Sequence, residues 1–172
     1  MAIYLRQAVL NDLNKVMMII EQARAQLKKN GNPQWQDGHP FITTIKNDII
    51  REHSWVLIDG QEVVGTAVLQ LTPEQNYDEI EDGQWKYPNE PYAIIHRVAV
   101  LPAKRGQSLG RFIFSNLLTV GYLQGIRNFR YDTHYKNIPV QKIGEELGFV
   151  KRGTIYIEDK IDNKHMGFEL NL

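Results

Sequence analysis

Apolar positions along this chain follow two periods that alternate. Residues 2–9 read as a short strand. Leu13, Val16, Met17, Ile20, Ala23 and Leu27 then recur at helical spacing, with Asn11 or Asp12 placed to cap the helix and Asn30-Gly31-Asn32-Pro33 to stop it. A loop, 34–40, leads to a second helix near 44–52 with Ile45, Ile49 and Ile50 inward. Strands at 55–58 and 62–71 are joined by Asp59-Gly60, a hairpin turn in which glycine accepts positive φ. A strand at 92–100 is followed by a helix at 109–124 ending at Gly125, a strand at 128–133, and a helix at 137–147 that turns out at Gly148-Phe149. Two strands close the chain, 150–158 and 165–170, joined by 159–164. The order β-α-α-β-β-β-α-β-α-β-β predicts one α/β domain over residues 1–172, with helices flanking a mixed, mostly antiparallel sheet.

Residues 74–91 break the pattern. Glu74, Asp78, Glu79, Glu81, Asp82 and Glu90 stand against Lys86 alone, with Tyr77, Trp85 and Tyr87 interleaved. The segment reads as a long surface loop or extended hairpin. It is either solvated surface or an attractor for a cationic molecule. Trp35, in the loop after the first helix, is either a plug anchoring a long connection or a wall of a binding site.

Bulk properties narrow the chemistry. The chain has 172 residues, enough for one well-packed domain, and its 20 basic and 20 acidic side chains cancel. A neutral chain offers no electrostatic case for nucleic acid. Cysteine is absent, which excludes disulfides, thiolate metal sites and a cysteine nucleophile. His39, His53 and His165 lack the paired spacing of metal ligands, so no metal is expected. The first residues lack the basic and apolar regions of a signal peptide, and no apolar run approaches the ~20 residues of a membrane helix. A soluble cytoplasmic protein without a membrane partner is the expectation.

The stretch from Val98 to Arg111 carries the most chemistry. An apolar strand ends at Pro102, passes a basic glycine-containing turn and enters a helix. The first N–H groups of a helix have no internal partner, and its dipole places roughly +0.5 charge there. Glycine lets a phosphate approach the backbone, and Arg105 and Arg111 add fixed positive charge. The run Arg105-Gly106-Gln107-Ser108-Leu109-Gly110 resembles motif A of the GNAT superfamily of acyl-CoA-dependent N-acyltransferases, Arg/Gln-x-x-Gly-x-Gly/Ala, with Ser108 in place of the first signature glycine. Downstream, Asn137, Val140, Ile143, Leu147, Gly148 and Phe149 occupy the positions of the family's motif B, Asn-x-x-Ala-x-x-hydrophobic-Tyr-x-x-hydrophobic-Gly-Phe, and the element order matches along nearly the whole chain.

The resemblance implies acetyl-CoA as cosubstrate and transfer of its acetyl group to a primary amine of a small molecule, peptide or protein, by direct attack. It also implies roles. Val98, Ala99 and Val100 would pair with the pantetheine arm and supply oxyanion N–H groups. Gln107 to Gly110 would hold the pyrophosphate, with Lys104, Arg105 or Arg111 reaching the phosphates. Asn137 would bond the pantetheine or a water near the thioester. The family's tyrosine, which protonates the departing thiolate, is replaced here by Gly144, which is expected to open space and widen the pocket. His134 and Tyr135 are candidates to stand in for it.

An acceptor ammonium, with pKa about 10.4 for a lysine-like amine, must lose a proton before attack. His96 is the first candidate base because imidazole titrates near neutrality and the residue sits on the oxyanion strand. The other reading is a hydrogen-bonded strand histidine. By strand alternation Arg97 points to the opposite face. His134 is the second candidate base or a strand-end cap, and a water chain to a carboxylate of the acidic segment is a third route. A different class of function stays open: an acyl-CoA-binding module that has lost catalysis. The resemblance leaves a homodimer open without selecting a surface.

Overall fold

The structure, a computed structural model, describes residues 1–157 and 163–172. Its elements follow the expected order: β1 (Ile3–Gln7), α1 (Leu13–Lys29), α2 (Ile42–Ile50), β2 (Ser54–Asp59), β3 (Glu62–Gln70), β4 (Tyr92–Val100), α3 (Leu109–Leu123), β5 (Asn128–Thr133), α4 (Ile138–Glu146), β6 (Val150–Tyr156) and β7 (Lys164–Asn171). The last strand connection was expected at 159–164, and residues 158–162 lie outside the described residues.

Local chemistry accounts for most boundaries. Asp12 sits at the start of α1, but its carboxylate turns back to accept from the Val9 N–H at 2.8 Å and from Arg6 at 2.7 and 3.0 Å. Gly60 at φ 63° closes the β2–β3 hairpin, and Gly125 at φ 88° ends α3. The helix α2 begins two residues before the expected Thr44.

Seven strands form one sheet in the order β1-β2-β3-β4-β5-β7-β6. Every neighbouring pair is antiparallel except β4 with β5. Strand alternation sends Val56 and Ile58 to one face, where Val16, Ile19 and Ile20 of α1 and Ile45 and Ile49 of α2 cover them. Leu57 goes to the other face, into a core with Ile113, Phe114 and Leu117 of α3 and with Phe129, Phe149 and Phe168. Among the described residues no helix is long and apolar enough to cross a membrane.

The expectation of a surface loop at 74–91 is corrected by a third core. Tyr77 and Trp85 are 1% and 4% exposed and pack with Tyr92, Ile94, Ile155 and Ile157 on the part of the sheet that α1 and α2 leave bare. The acidic side chains conceal this in the sequence: several face water while the aromatic residues between them point inward. Trp85 Nε1 donates to the Tyr77 carbonyl at 2.9 Å. Glu81 and Thr154 exchange backbone hydrogen bonds, both 2.8 Å, which ties the segment to β6 as a strap.

Beneath the strap lies a buried ion pair. Arg130 Nε donates to Glu169 Oε1 at 3.3 Å, and the guanidinium stacks over Trp85 and Tyr92 at 4.3 and 3.9 Å. Glu169 also accepts from the Lys86 N–H at 2.8 Å and from Arg152 Nε at 3.1 Å. Removing Arg130 leaves the fully buried Glu169 carboxylate with the partly exposed Arg152 as its charged partner among the described residues. Arg130→Ala is expected to cost about 3–5 kcal/mol, read as a lowered urea midpoint, while Arg152→Ala at the more exposed end costs about 1 kcal/mol. Equal losses would contradict this division.

Candidate active site

Parallel pairing of β4 with β5 covers only Tyr92↔Asn128, Ala93↔Phe129 and Ile94↔Arg130, whereas pairing of β4 with β3 continues to Val100. From Ile95 onward the β5-side edge of β4 is therefore open. A bulge accompanies the parting. Val68 pairs with His96 and Thr66 with Ala99, so Arg97 and Val98 both stand opposite Ala67, and Arg97 takes a left-handed φ of 52°. Arg97 does not alternate to the opposite face, because the extra residue resets the register: His96 and Arg97 both border the same cavity. Arg97 Nη1 lies 3.2 Å from Asp48 Oδ2 of α2. Burial pushes the Asp48 carboxyl above its ordinary value, against the pull of Arg97.

A cavity of about 600 Å³ runs through the split. Val98, Ala99 and Val100 form one wall, and Arg105, Gly106, Ser108, Leu109, Gly110 and Arg111 form one end. Gly106 has φ 79°, and Ser108, directly before α3, has φ 55°. A left-handed serine costs about 1–2 kcal/mol relative to an ordinary conformation, which is why glycine is the easier residue there. Gly110 lets α3 sit close to α4: a Cβ there would come within 2.8 Å of Ile143 Cδ1, the free end of a side chain that would have to turn aside. Arg105 is exposed, and Arg111 lies 4.0 Å from Glu146. Lys104 borders the cavity with its ammonium on Asp59, 2.8 Å away. Gln107 lies outside the wall.

The opposite side mixes expected and unforeseen residues. Asn137, at the start of α4, borders the cavity and donates to Gln34 Oε1 at 3.0 Å. Thr133 Oγ1 donates to the same oxygen at 3.3 Å. Gln34 thus ties the loop before α2 to β5 and α4; only its place in a loop already singled out hinted at this. Trp35 both borders the cavity and packs against the core under α1, so its two readings coexist. His134 and Tyr135 are not brought to the cavity wall. His134 is buried, its Nδ1 accepts from the Lys136 N–H at 3.2 Å, and its ring lies 4.2 Å from that of Tyr135.

The widening expected at Gly144 is corrected. A Cβ there would stand 2.0 Å from the Tyr131 hydroxyl, so a tyrosine from β5 fills the space. Burial raises the Tyr131 phenol far above its usual range, and the hydroxyl has no hydrogen-bond partner among the described residues.

His96 carries the electrostatics of the site. Its Nε2 lies 2.9 Å from Glu74 Oε2, and its Nδ1 lies 3.8 Å from Asp132 Oδ1. Asp132 Oδ2 meets His165 Nδ1 at 2.5 Å, and the Tyr77 hydroxyl donates to Asp132 Oδ1 at 2.6 Å. Glu74, His96, Asp132 and His165 all border the cavity. Burial alone would raise both carboxyls. His96, with Asn76, outweighs it at Glu74, and His165, His96 and Tyr77 outweigh it at Asp132, so both stay ionised, Asp132 far below the usual carboxylate range. Among the described residues no group of three or more His, Asp or Glu is arranged to hold a metal ion.

The chain belongs to the GNAT acetyltransferase family: the model of that family, "Acetyltransferase (GNAT) family", matches residues 19–149. The chain is 30% identical to the GNAT-family acetyltransferase of Streptococcus agalactiae 2603, with a TM-score of 0.86 over 99% of this chain and 95% of that one. A GNAT-family acetyltransferase of Listeria monocytogenes 4b F2365 is 20% identical, with a TM-score of 0.75 over 99% and 95% of the two chains. The same fold occurs in the NatC complex bound to Gag peptide and CoA, at 14% identity and a TM-score of 0.70 over 100% and 99%. No curated protein matches the chain significantly. Acyl transfer from coenzyme A is the chemistry this membership supports.

The exchange of Tyr131 for a side chain at 144 is testable. Gly144→Ala is expected to destabilise the fold by about 1–3 kcal/mol through overpacking, and Tyr131→Leu in the same chain to recover most of that loss. Additive losses in the double variant would contradict the shared space.

Proposed function

We propose that this protein transfers an acetyl group from acetyl-CoA to a primary amine of a small molecule or peptide, by direct attack with both substrates bound. The observation that carries the reading is the position of His96. It borders the split where β4 leaves β5, between two ionised carboxylates.

The cavity fits an acyl-CoA. The open edge of β4 offers backbone groups to the amides of a pantetheine arm, as an added strand would. The left-handed backbone at Gly106 and Ser108, the start of α3 and the guanidinium groups of Arg105 and Arg111 suit a pyrophosphate. Bound there, the coenzyme supplies an activated acyl carbon. His96 takes the proton from the acceptor ammonium, and the N–H groups of 98–100 stabilise charge on the carbonyl oxygen. A thiol has a pKa of about 8.5, so the thiolate departs near neutral pH without an acid, and a tyrosine at 144 is dispensable. The other reading, a coenzyme-binding module without turnover, draws support from that missing tyrosine.

Release of free thiol from acetyl-CoA across a panel of amines separates the two readings, since the binding module gives none. In that assay His96→Ala is expected to lower kcat by about 100-fold at pH 7 and to recover toward wild type near pH 10, where the amine deprotonates unaided. A loss of the same size at every pH would make His96 structural.

A further inference from the structure

Both ring nitrogens of His96 face carboxylates, but at different distances, and the difference assigns a proton. Glu74 Oε2, at 2.9 Å from Nε2, is within hydrogen-bond reach; Asp132 Oδ1, at 3.8 Å from Nδ1, is not. An ionised carboxylate only accepts, so the neutral imidazole must carry its hydrogen on Nε2 to satisfy Glu74. The lone pair is then on Nδ1, facing Asp132 across a gap too wide for a direct bond. A donor nitrogen about 2.8–3.0 Å from each closes that triangle. The gap lies just past Ile94↔Arg130, the last paired residues of β4 and β5.

We propose that Glu74 is a positioning residue that fixes the tautomer of His96, making Nδ1 the nitrogen that deprotonates the acceptor amine while Asp132 holds the ammonium. The inference rests on the acetyl transfer proposed above. The step balances. The bound ammonium gives one proton to Nδ1, which becomes imidazolium between Glu74 and Asp132. The freed amine lone pair forms the C–N bond, the C–S bond breaks with its electron pair leaving on sulfur, and the second proton of the acylated nitrogen passes to that thiolate, so the products are a neutral amide, free thiol and His96 as imidazolium. Asp132 is braced from behind by His165 and Tyr77, so its anion stays in place as the proton arrives.

Glu74 is itself positioned by the strap. Its Oε1 accepts from Asn76 Nδ2 at 3.0 Å, and its N–H donates to the Tyr92 hydroxyl at 3.4 Å. This makes Glu74→Gln a directed probe. Asn76 keeps the amide oxygen on its own side, so the amide nitrogen faces Nε2, donates to it and drives the imidazole hydrogen to Nδ1. The volume is unchanged; the base nitrogen is lost. The charged and titratable groups around the His96 ring are Glu74 from the strap, Asp132 from β5, His165 from β7 behind it, Asp48 from α2, Arg97 beside it and the Tyr77 ring at 6.1 Å.

The test has two arms. Long-range proton–nitrogen spectra of the 15N-labelled protein at pH 8, without substrate, report the tautomer, with the His96 signals identified by their loss in His96→Gln. The expected result is hydrogen on Nε2 in wild type and on Nδ1 in Glu74→Gln. In the thiol-release assay, Glu74→Gln is expected to lower kcat about 100-fold or more with KM for acetyl-CoA unchanged and to flatten the acidic limb of the pH profile, while Glu74→Asp stays within about tenfold of wild type. Wild-type His96 with its hydrogen on Nδ1, or Glu74→Gln with unaltered kcat, overturns the proposal. The spectra need no turnover, so if no amine is acetylated the proposed function falls while the tautomer assignment is still decided.

Discussion

Two parallel strands, β4 and β5, stay hydrogen-bonded for three residues and then part, and the remaining architecture serves that parting. An open edge inside a sheet leaves backbone groups without partners, which is costly unless something else satisfies them. The left-handed residue Arg97 reconciles β4 with β3 on one side while releasing it from β5 on the other. The released segment runs from Ile95 to Val100 and leads directly into the loop before α3. The proposed proton acceptor, the edge proposed for the acyl arm and the loop proposed for the phosphates therefore lie on about fifteen consecutive residues, in the order in which an extended coenzyme and its acceptor would meet them.

The strap supplies what β4 cannot. Its aromatic residues fill the third core, and the pair of Arg130 with Glu169 beneath them is too deeply buried to move without a large cost. That anchoring places Glu74 on one side of His96 while the register of β5 with β7 places Asp132 and His165 on the other. Buried charge is tolerated because each carboxylate has several donors around it. An imidazole between two such anions gains a proton without leaving an uncompensated charge in the interior.

Much of this was legible from local pattern. Helix periodicity, the Asp59-Gly60 turn and the glycine-bounded ends of α3 and α4 depend on neighbours a few residues away, and the loop before α3 is a local strand-to-helix junction. The errors have a shared cause in non-local geometry. Alternation misplaced Arg97 because a bulge is set by the partner strand. The excess of acid in the strap masked Tyr77 and Trp85, so Glu74 read as one surface charge among six. Asp132 and His165 had no spacing to connect them, since only pairing of β5 with β7 brings them within hydrogen-bond distance. Gly144 read as a vacancy because its filler, Tyr131, comes from another element.

Hydrogen exchange read with and without acetyl-CoA shows whether the split between β4 and β5 receives an acyl-CoA. Peptides covering residues 95–111 are expected to exchange at least about tenfold more slowly when the coenzyme is added, because the open amides of β4 and the loop before α3 gain partners. Unchanged exchange there, or protection confined to another part of the chain, would mean that the coenzyme does not enter the split.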